Sequence, residues 1–272
     1  MATLQLDGVS LHYEEAGQGI PVLLLHGLGS SGSDWEWVVP KLANGYRLIV
    51  PDARGHGRSS KPPGAYGVPL FARDIAGLCD ALGLTRVHVV GLSMGGMMGF
   101  QLALDRPELV RSLVIVNSGP EVVARTLKRK FEFTVRRVLL RLMGPRGLAK
   151  MLAPRLFPKP EQAALRERVL TGISANDPSA YRRATLGLLG WSVMGRLSDI
   201  RCPVLAVHSE RDYTPLSAKQ AYVDLLPHAR LHVLTDSGHA APLDQPGPLT
   251  DAVEDFLRSV DAGTAQGSAL GA

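Results

Sequence analysis

Four runs along the chain are apolar at nearly every position: VLLL at Val22–Leu25, VHVV at Val87–Val90, LVIV at Leu113–Val116 and VLAV at Val204–Val207. A strand buried on both faces needs this pattern, because neither side meets water. With their flanks the runs predict strands at Pro21–His26, Arg86–Val90, Ser112–Val116 and Pro203–His208, and weaker β patterns add Tyr46–Val50 and Arg230–Leu234. Helical patterns fall between them at Trp35–Leu42, Leu70–Leu82, Met94–Asp105, Pro215–Leu226 and Pro248–Val260. That alternation is the mark of βαβ units and a parallel sheet covered by helices on both faces. At the N-terminus, Thr3–Leu6 and Ser10–Glu14 flank Asp7-Gly8, a hairpin turn pair, and predict an antiparallel edge. The expectation is an α/β fold with an eight-stranded, mostly parallel sheet.

The rhythm breaks between Gly119 and Arg196, where no strand pattern occurs. Leu127, Phe131, Val135, Val138 and Leu142 recur there every three or four positions, as on one face of a helix. Residues 120–196 are therefore expected to form an inserted helical cap, with 1–119 and 197–260 as the core domain. The apolar stripe is expected to pack on that core rather than to lie on a membrane surface. Residues 261–272, rich in Gly, Ala, Ser and Thr without periodicity, are expected to be a disordered tail.

Length and composition narrow the picture. A chain of 272 residues with 45% hydrophobic and 20% charged residues suits one large core with an insertion, not a disordered or fibrous protein. Acidic residues at Asp7, Glu14 and Glu15 argue against a secretory signal in the first twenty residues. No run reaches the roughly 18 apolar residues of a membrane span, so no stable membrane insertion is expected and a cytoplasmic location is the default. Cys79 and Cys202 are far apart and read as free thiols. The net charge of +5 is uneven: residues 121–197 hold sixteen Lys or Arg against five acids, or +11, leaving −6 elsewhere. We read this as a solvated basic surface, with no nucleic-acid partner.

The chemistry concentrates in Arg86–Met98, RVHVVGLSMGGMM, where G-x-S-x-G at Gly91–Gly95 lies between an apolar strand and a helical pattern. That is the strand–turn–helix setting of a nucleophile elbow, with Ser93 on a tight turn that leaves no room for a Cβ at Gly91 or Gly95. The helix that follows points its N-terminal N–H groups at the place where an oxyanion would form. His26-Gly27-Leu28-Gly29, directly after a buried strand, offers a second backbone donor. The N–H groups of Leu28 and Met94 are thus the expected oxyanion hole. There is no H-E-x-x-H or carboxylate cluster for a metal, and Gly17-Gln18-Gly19 precedes its strand and lacks the third glycine of a dinucleotide fingerprint. No metal or cofactor is expected.

At these residues the chain resembles the α/β-hydrolase superfamily. Asp52-Ala53-Arg54-Gly55-His56-Gly57-Arg58-Ser59 is similar to that family's D-x-R-G-x-G-x-S turn, and the resemblance implies a scaffold role for Asp52 and His56. It also implies a triad in chain order Ser, Asp, His. Ser209-Glu210-Arg211-Asp212 is similar to the family's acid loop with Ser209 in place of Gly, which brings forward Asp212 and leaves Glu210 as the neighbouring alternative. Ser237-Gly238-His239 is similar to the loop that carries the base, so His239 is the expected general base, with Asp236 and Asp244 as nearby rival carboxylates. Residues 91–119 look most like bacterial esterases, 3-oxoadipate enol-lactonases and cofactor-free perhydrolases.

The implied activity is cleavage of carboxylic esters through an acyl-enzyme on Ser93. A lactonase, a carbon–carbon bond hydrolase or a perhydrolase are the neighbouring alternatives, and a non-catalytic ligand receptor is the alternative outside enzymology. The partner is then a small-molecule ester or lactone. Leu127, Phe131, Leu139, Trp191 and Met194 are the candidate pocket residues of the cap.

Overall fold

The structure, a computed structural model, describes residues 2–264. Strands β1 (Ala2–Leu6), β2 (Val9–Ala16), β3 (Ile20–Leu25), β4 (Tyr46–Pro51), β5 (Val87–Leu92), β6 (Val110–Val116), β7 (Val204–Ser209) and β8 (Ala229–Leu234) form one sheet in the order β1-β2-β4-β3-β5-β6-β7-β8. β2 pairs antiparallel with β1, as the Asp7-Gly8 turn implied, and also with β4, while the other strand pairs are parallel. The order reverses direction between β3 and β5, and ligands of open α/β sheets bind outside the carboxyl ends of the strands at such a switch point.

The apolar runs divide residue by residue between two cores. Leu23 and Leu25 of β3 face the same core as Val89, Leu113 and Ile115. Val22 and Leu24 face the other, with Val90, Val114 and Val116. The first core is closed by Phe71, Ile75 and Leu78 of α2 (Val68–Ala81), by Met98 and Leu102 of α3 (Met94–Asp105) and by residues of the later helices. The second is closed by Leu249, Val253, Phe256 and Leu257 of the C-terminal helix Pro246–Asp261, and by Trp35, Val38 and Leu42. Each such side chain contributes about 1.5–3 kcal/mol on burial, so the continuous strands need both layers.

The expected helix at Trp35–Leu42 is instead a 3-10 turn, Gly32–Trp35, and a short helix α1 (Val39–Leu42). Pro40 has no N–H to offer the preceding turn, so a helix can begin at it but not run through it. His12 is buried on β2.

Between β6 and β7 the chain forms α4 (Leu127–Leu156), α5 (Ala163–Ser174) and α6 (Pro178–Leu188), and α4 is kinked at Gly144, which has φ 60° just before Pro145. The expectation that the apolar stripe of α4 packs on the core is corrected: Leu127 is 83% exposed, Phe131 69% and Leu142 75%. The face that packs is a different one, carrying Leu140. Beyond β7 lie α7 (Leu216–Val223), α8 (Ala241–Asp244) and α9 (Pro246–Asp261). Asp261, expected to open a disordered tail, ends α9 and accepts hydrogen bonds from Arg111 Nε (2.7 Å) and Tyr46 Oη (3.2 Å). Residues 265–272 of the expected tail lie outside the described residues.

Two buried imidazoles make stability depend on pH. Burial, aided by nearby His26, pushes His56 down to about 3, and burial pushes His88 down to about 4 against the opposing pull of Asp261. Both titrate near 6.5 when unfolded. The unfolded chain therefore takes up protons first. The stability they contribute is complete above pH 6.5 and lost as pH falls towards 4, by about 1.4 kcal/mol per pH unit for each group. Scanning calorimetry should give a Tm roughly 5–10 °C lower at pH 5.0 than at pH 7.5. This window lies above the ordinary carboxylate range. Equal values at the two pH values would contradict neutral burial of these histidines.

Candidate active site

Ser93 is the single residue between β5 and α3, and its backbone sits at φ 51° and ψ −110°. That is a strained conformation for a residue with a Cβ, imposed because the chain turns from strand to helix in one step. The glycines on either side make the turn possible. A Cβ on Gly91 would lie 2.3 Å from the carbonyl of Gly95, and one on Gly95 would lie 2.1 Å from the carbonyl oxygen of Leu25. The strain is held by hydrogen bonds, from Ser93 N to Val116 O (2.9 Å) and from Ser118 Oγ to Ser93 O (2.5 Å).

The loop after β3 lies against this turn, since a Cβ on Gly27 would be 3.8 Å from Ser93 Cβ. His26 fixes its course. Nε2 accepts from Ala53 N (2.9 Å), so the proton is on Nδ1 and is donated to Gly27 O (2.7 Å). Ser30 N donates to the same carbonyl. In a trans peptide the following N–H points the opposite way, which turns Leu28 N–H away from His26. Met94 begins α3, and the first N–H groups of a helix have no partner one turn back. Gly29 has φ 78°, and a Cβ there would strike the Tyr181 ring at 2.6 Å, so α6 closes directly on this loop.

His239 Nδ1 lies 2.7 Å from Asp212 Oδ1. The carboxylate is fully buried and the imidazole side chain only 11% exposed. Burial pushes the Asp212 carboxyl up. The hydrogen bond from His239, with the charges of His239 and Lys219, outweighs this and holds it below its ordinary value. Its second oxygen, Oδ2, has no hydrogen-bond partner among the described residues, and the buried Lys219 ammonium stands 3.5 Å away. The rival carboxylates are engaged elsewhere. Glu210 accepts from Asp236 N (2.8 Å), Asp236 pairs with Lys159 (2.5 Å) and Arg211, and Asp244 accepts from Gly238 N (2.6 Å) and Gln162. Asp52 holds the Gly32 and Arg58 amides at 2.8 Å each, the scaffold part that the resemblance implied.

Three residues of the site escaped the sequence reading. Asn117, buried at φ 47°, donates to Ser209 Oγ (2.8 Å) and His239 O (2.9 Å) and accepts from Ser209 N (2.8 Å), so it ties the end of β6 to both loops. Its only signal is the polar Asn117-Ser118 ending an apolar run. Lys219 reads as one more surface base of a helix, yet it is buried and donates to Ser118 O (2.5 Å). Tyr213 stacks on His239 with ring centroids 4.1 Å apart, its hydroxyl 2.5 Å from Nε2, and nothing in the sequence links them.

Tyr213 thus holds the imidazole nitrogen that lies opposite the Asp212 contact. Nε2 must leave this hydrogen bond before it can accept a proton from another group, and one such bond is worth about 0.5–1.5 kcal/mol. If His239 serves as a general base in ester hydrolysis, Tyr213→Phe should raise kcat/KM for a small soluble ester about two- to tenfold in steady-state kinetics. An unchanged or lower value would show that the hydroxyl does not compete for Nε2.

The expected pocket residues lie in different surroundings. Leu127 and Phe131 face solvent. Trp191 is a core residue whose Nε1 donates to Gln101 Oε1 (2.8 Å), and Met194 packs on the same core. Leu139 is half-buried. Their positions follow from the rotation of α4 and from the buried hydrogen bond of Trp191. Leu28 packs against two clusters, one with Leu140, Ala149, Ile173 and Tyr181 of the insert and the other including Leu188, Trp191 and Val193.

Residues 20–246 match the model of a family described by its alpha/beta hydrolase fold. RutD of Variovorax paradoxus (strain S110), which carries the name of a carbamate hydrolase, is 35% identical over 93% of this chain and 97% of its own. A thermophilic esterase from Thermogutta terrifontis is 29% identical, with a TM-score of 0.85 over 93% of this chain and 94% of that one. The enol-lactonase from Burkholderia xenovorans LB400 is 24% identical, with a TM-score of 0.88 over 94% of this chain and all of the other, a likeness of fold.

Proposed function

The chain belongs to the alpha/beta hydrolase fold family, and from that premise we propose that it is a serine hydrolase cleaving carboxylic esters through an acyl-enzyme on Ser93. The observation that carries the reading is Ser93 strained at the head of α3, in a molecule that also buries an Asp212–His239 pair at 2.7 Å.

A serine hydroxyl is a weak nucleophile until an imidazole takes its proton, and the imidazole must be held in one tautomer. Asp212 supplies that hold, since an ionised carboxylate can only accept and so keeps the proton of His239 on Nδ1. Nε2, released by Tyr213, removes the Ser93 proton as Oγ attacks the substrate carbonyl. The charge that develops on the carbonyl oxygen is met by the N–H groups of Leu28 and Met94 at the N-terminus of α3. Collapse expels the alcohol, which takes its proton from His239. Water activated by the same nitrogen then releases the acid and restores Ser93. The helices between β6 and β7 form the cap, and their residues beside Leu28, chiefly Tyr181 and Ile173, are the first that an acyl chain would meet.

The named activities of two relatives support the breadth of this chemistry, because ester and carbamate carbonyls are both open to attack by the same nucleophile. Turnover of p-nitrophenyl acetate, its absence in Ser93→Ala, and a ranking of esters, lactones and aryl carbamates of graded size test the reaction and then the substrate class. Failure to turn over any of them would favour the receptor reading.

A further inference from the structure

The outer face of α4 is apolar and uncovered. Leu127, Phe131, Val135, Val138 and Leu142 are all exposed. At 3.6 residues per turn they fall within an arc of about 80°, which makes one stripe rather than scattered apolar positions. The buried side of the same helix is elsewhere, at Leu140, which packs with Ile173, Tyr181 and Leu28. Among the described residues the stripe therefore has no partner, and a stripe of this kind marks an interaction surface.

The charges beside it say what covers it. Residues 127–143 hold six Lys or Arg against one acid. Lys130, Arg137 and Arg141 border one side of the stripe and Lys128 the other, all of them exposed. Glu132 pairs with Arg129 at 3.2 Å, and no other carboxylate of the described residues lies within ion-pair distance of Lys128, Lys130, Arg137 or Arg141. Beyond the kink, Arg146 and Lys150 are exposed as well, with Met151. A second copy of the chain laid on this face would bring like charges together. A nucleic acid would use the bases and leave Phe131 and Leu142 in water. A surface with apolar depth beneath a layer of negative charge satisfies both, and a basic amphipathic helix lying in the plane of such a surface buries its stripe while its long basic side chains reach back to the headgroups.

We propose that the outer face of α4, around Leu127–Leu142, docks the protein peripherally on anionic lipid bilayers. No helix of the described residues is long and apolar enough to cross a membrane. Because the inner side of α4 joins the cluster of Ile173 and Tyr181 against which Leu28 packs, docking places the bilayer over the helices that cover the candidate oxyanion loop.

Co-sedimentation of the full chain with vesicles of phosphatidylglycerol and phosphatidylcholine (3:7), against pure phosphatidylcholine, tests this. Binding is expected to the mixed vesicles at 0.1 M salt and to fall at least tenfold with phosphatidylcholine alone or at 0.5 M salt. Val138→Ser with Leu142→Ser should lower the partition coefficient at least tenfold, and Lys128→Gln with Lys130→Gln should lower it roughly fivefold per charge. These side chains are exposed, so the variants should keep the wild-type melting temperature and rate on p-nitrophenyl acetate. Ser93→Ala should bind vesicles as the wild type does, which separates docking from the hydrolase reading. The proposal is overturned if the wild type stays in the supernatant, if it binds both vesicle types equally, or if sedimentation velocity shows a dimer that Val138→Ser with Leu142→Ser dissolves while vesicles are not bound.

Discussion

Ser93→Ala is expected to lower kcat on a chromogenic ester by roughly 10⁴–10⁶ while leaving the fold intact. Without the hydroxyl there is no acyl-enzyme, and the residual rate is what the Leu28 and Met94 N–H groups and substrate binding can do for attack by water. The fold should survive because alanine retains the Cβ and therefore the same strain at φ 51°. Ser93→Gly separates the two effects. It should be equally inactive yet more stable by about 1 kcal/mol, since glycine relieves a strain of about 1–3 kcal/mol and loses part of that gain to the entropy of its unfolded chain. Kinetics and thermal melts on the three proteins check both halves. More than a few per cent of wild-type activity in a clean Ser93→Ala preparation would remove Ser93 from the reaction. A Ser93→Gly variant less stable than wild type would remove the strain argument.

The second large effect is expected at Asp212. Asp212→Asn places an amide behind His239, and its NH₂ favours the tautomer with the proton on Nε2, which cannot receive the serine proton. A fall in kcat of about 10²–10⁴ follows. The structure adds a cost that the sequence did not reveal. Lys219 is buried beside Asp212 Oδ2, and neutralising the carboxylate leaves the ammonium with Ser118 O as its hydrogen-bond acceptor. Breaking such a buried pair costs about 3–5 kcal/mol, so kcat must be referred to folded protein. Asp212→Asn combined with Lys219→Met should recover much of the stability and none of the rate, which distinguishes orientation of the base from support of the fold. Glu210→Gln and Asp236→Asn should stay within about tenfold of wild type in kcat. Asp244→Asn should do the same but with a lower Tm, because Asp244 accepts from both Gly238 N and Gln162. Wild-type kcat in Asp212→Asn, with loss in Glu210→Gln, would reverse the assignment.

The sheet and the tight turn at Ser93 were legible in the sequence because their causes are local. A strand buried on both faces must be apolar at successive positions, and VLLL, VHVV, LVIV and VLAV are therefore recognisable without any neighbour. The turn at Ser93 demands glycine two residues before and after it, and the contacts at Gly91 and Gly95 show why. The helical periodicity of Trp35–Leu42 predicts one helix, whereas Pro40 divides the segment into a 3-10 turn and a short helix.

What the tertiary structure decided concerns groups whose roles depend on partners far away in the chain. Periodicity shows that α4 has an apolar stripe but not which way the helix is rolled, and Leu140 rather than Phe131 faces the body of the protein. Trp191 packs in the first core and bonds to Gln101, 90 residues away, neither of which a local pattern reveals. Four carboxylates lie close to His239 in sequence or in its partner loop. Asp212 is set apart from Glu210, Asp236 and Asp244 by the side on which β7 and β8 deliver the two loops, and Asn117, Lys219 and Tyr213 enter the site by the same route. Composition and spacing determine which chemistry the chain can hold. The packing of distant segments determines which atoms face one another, because hydrogen bonds and burial act over a few ångströms of space and not along the sequence.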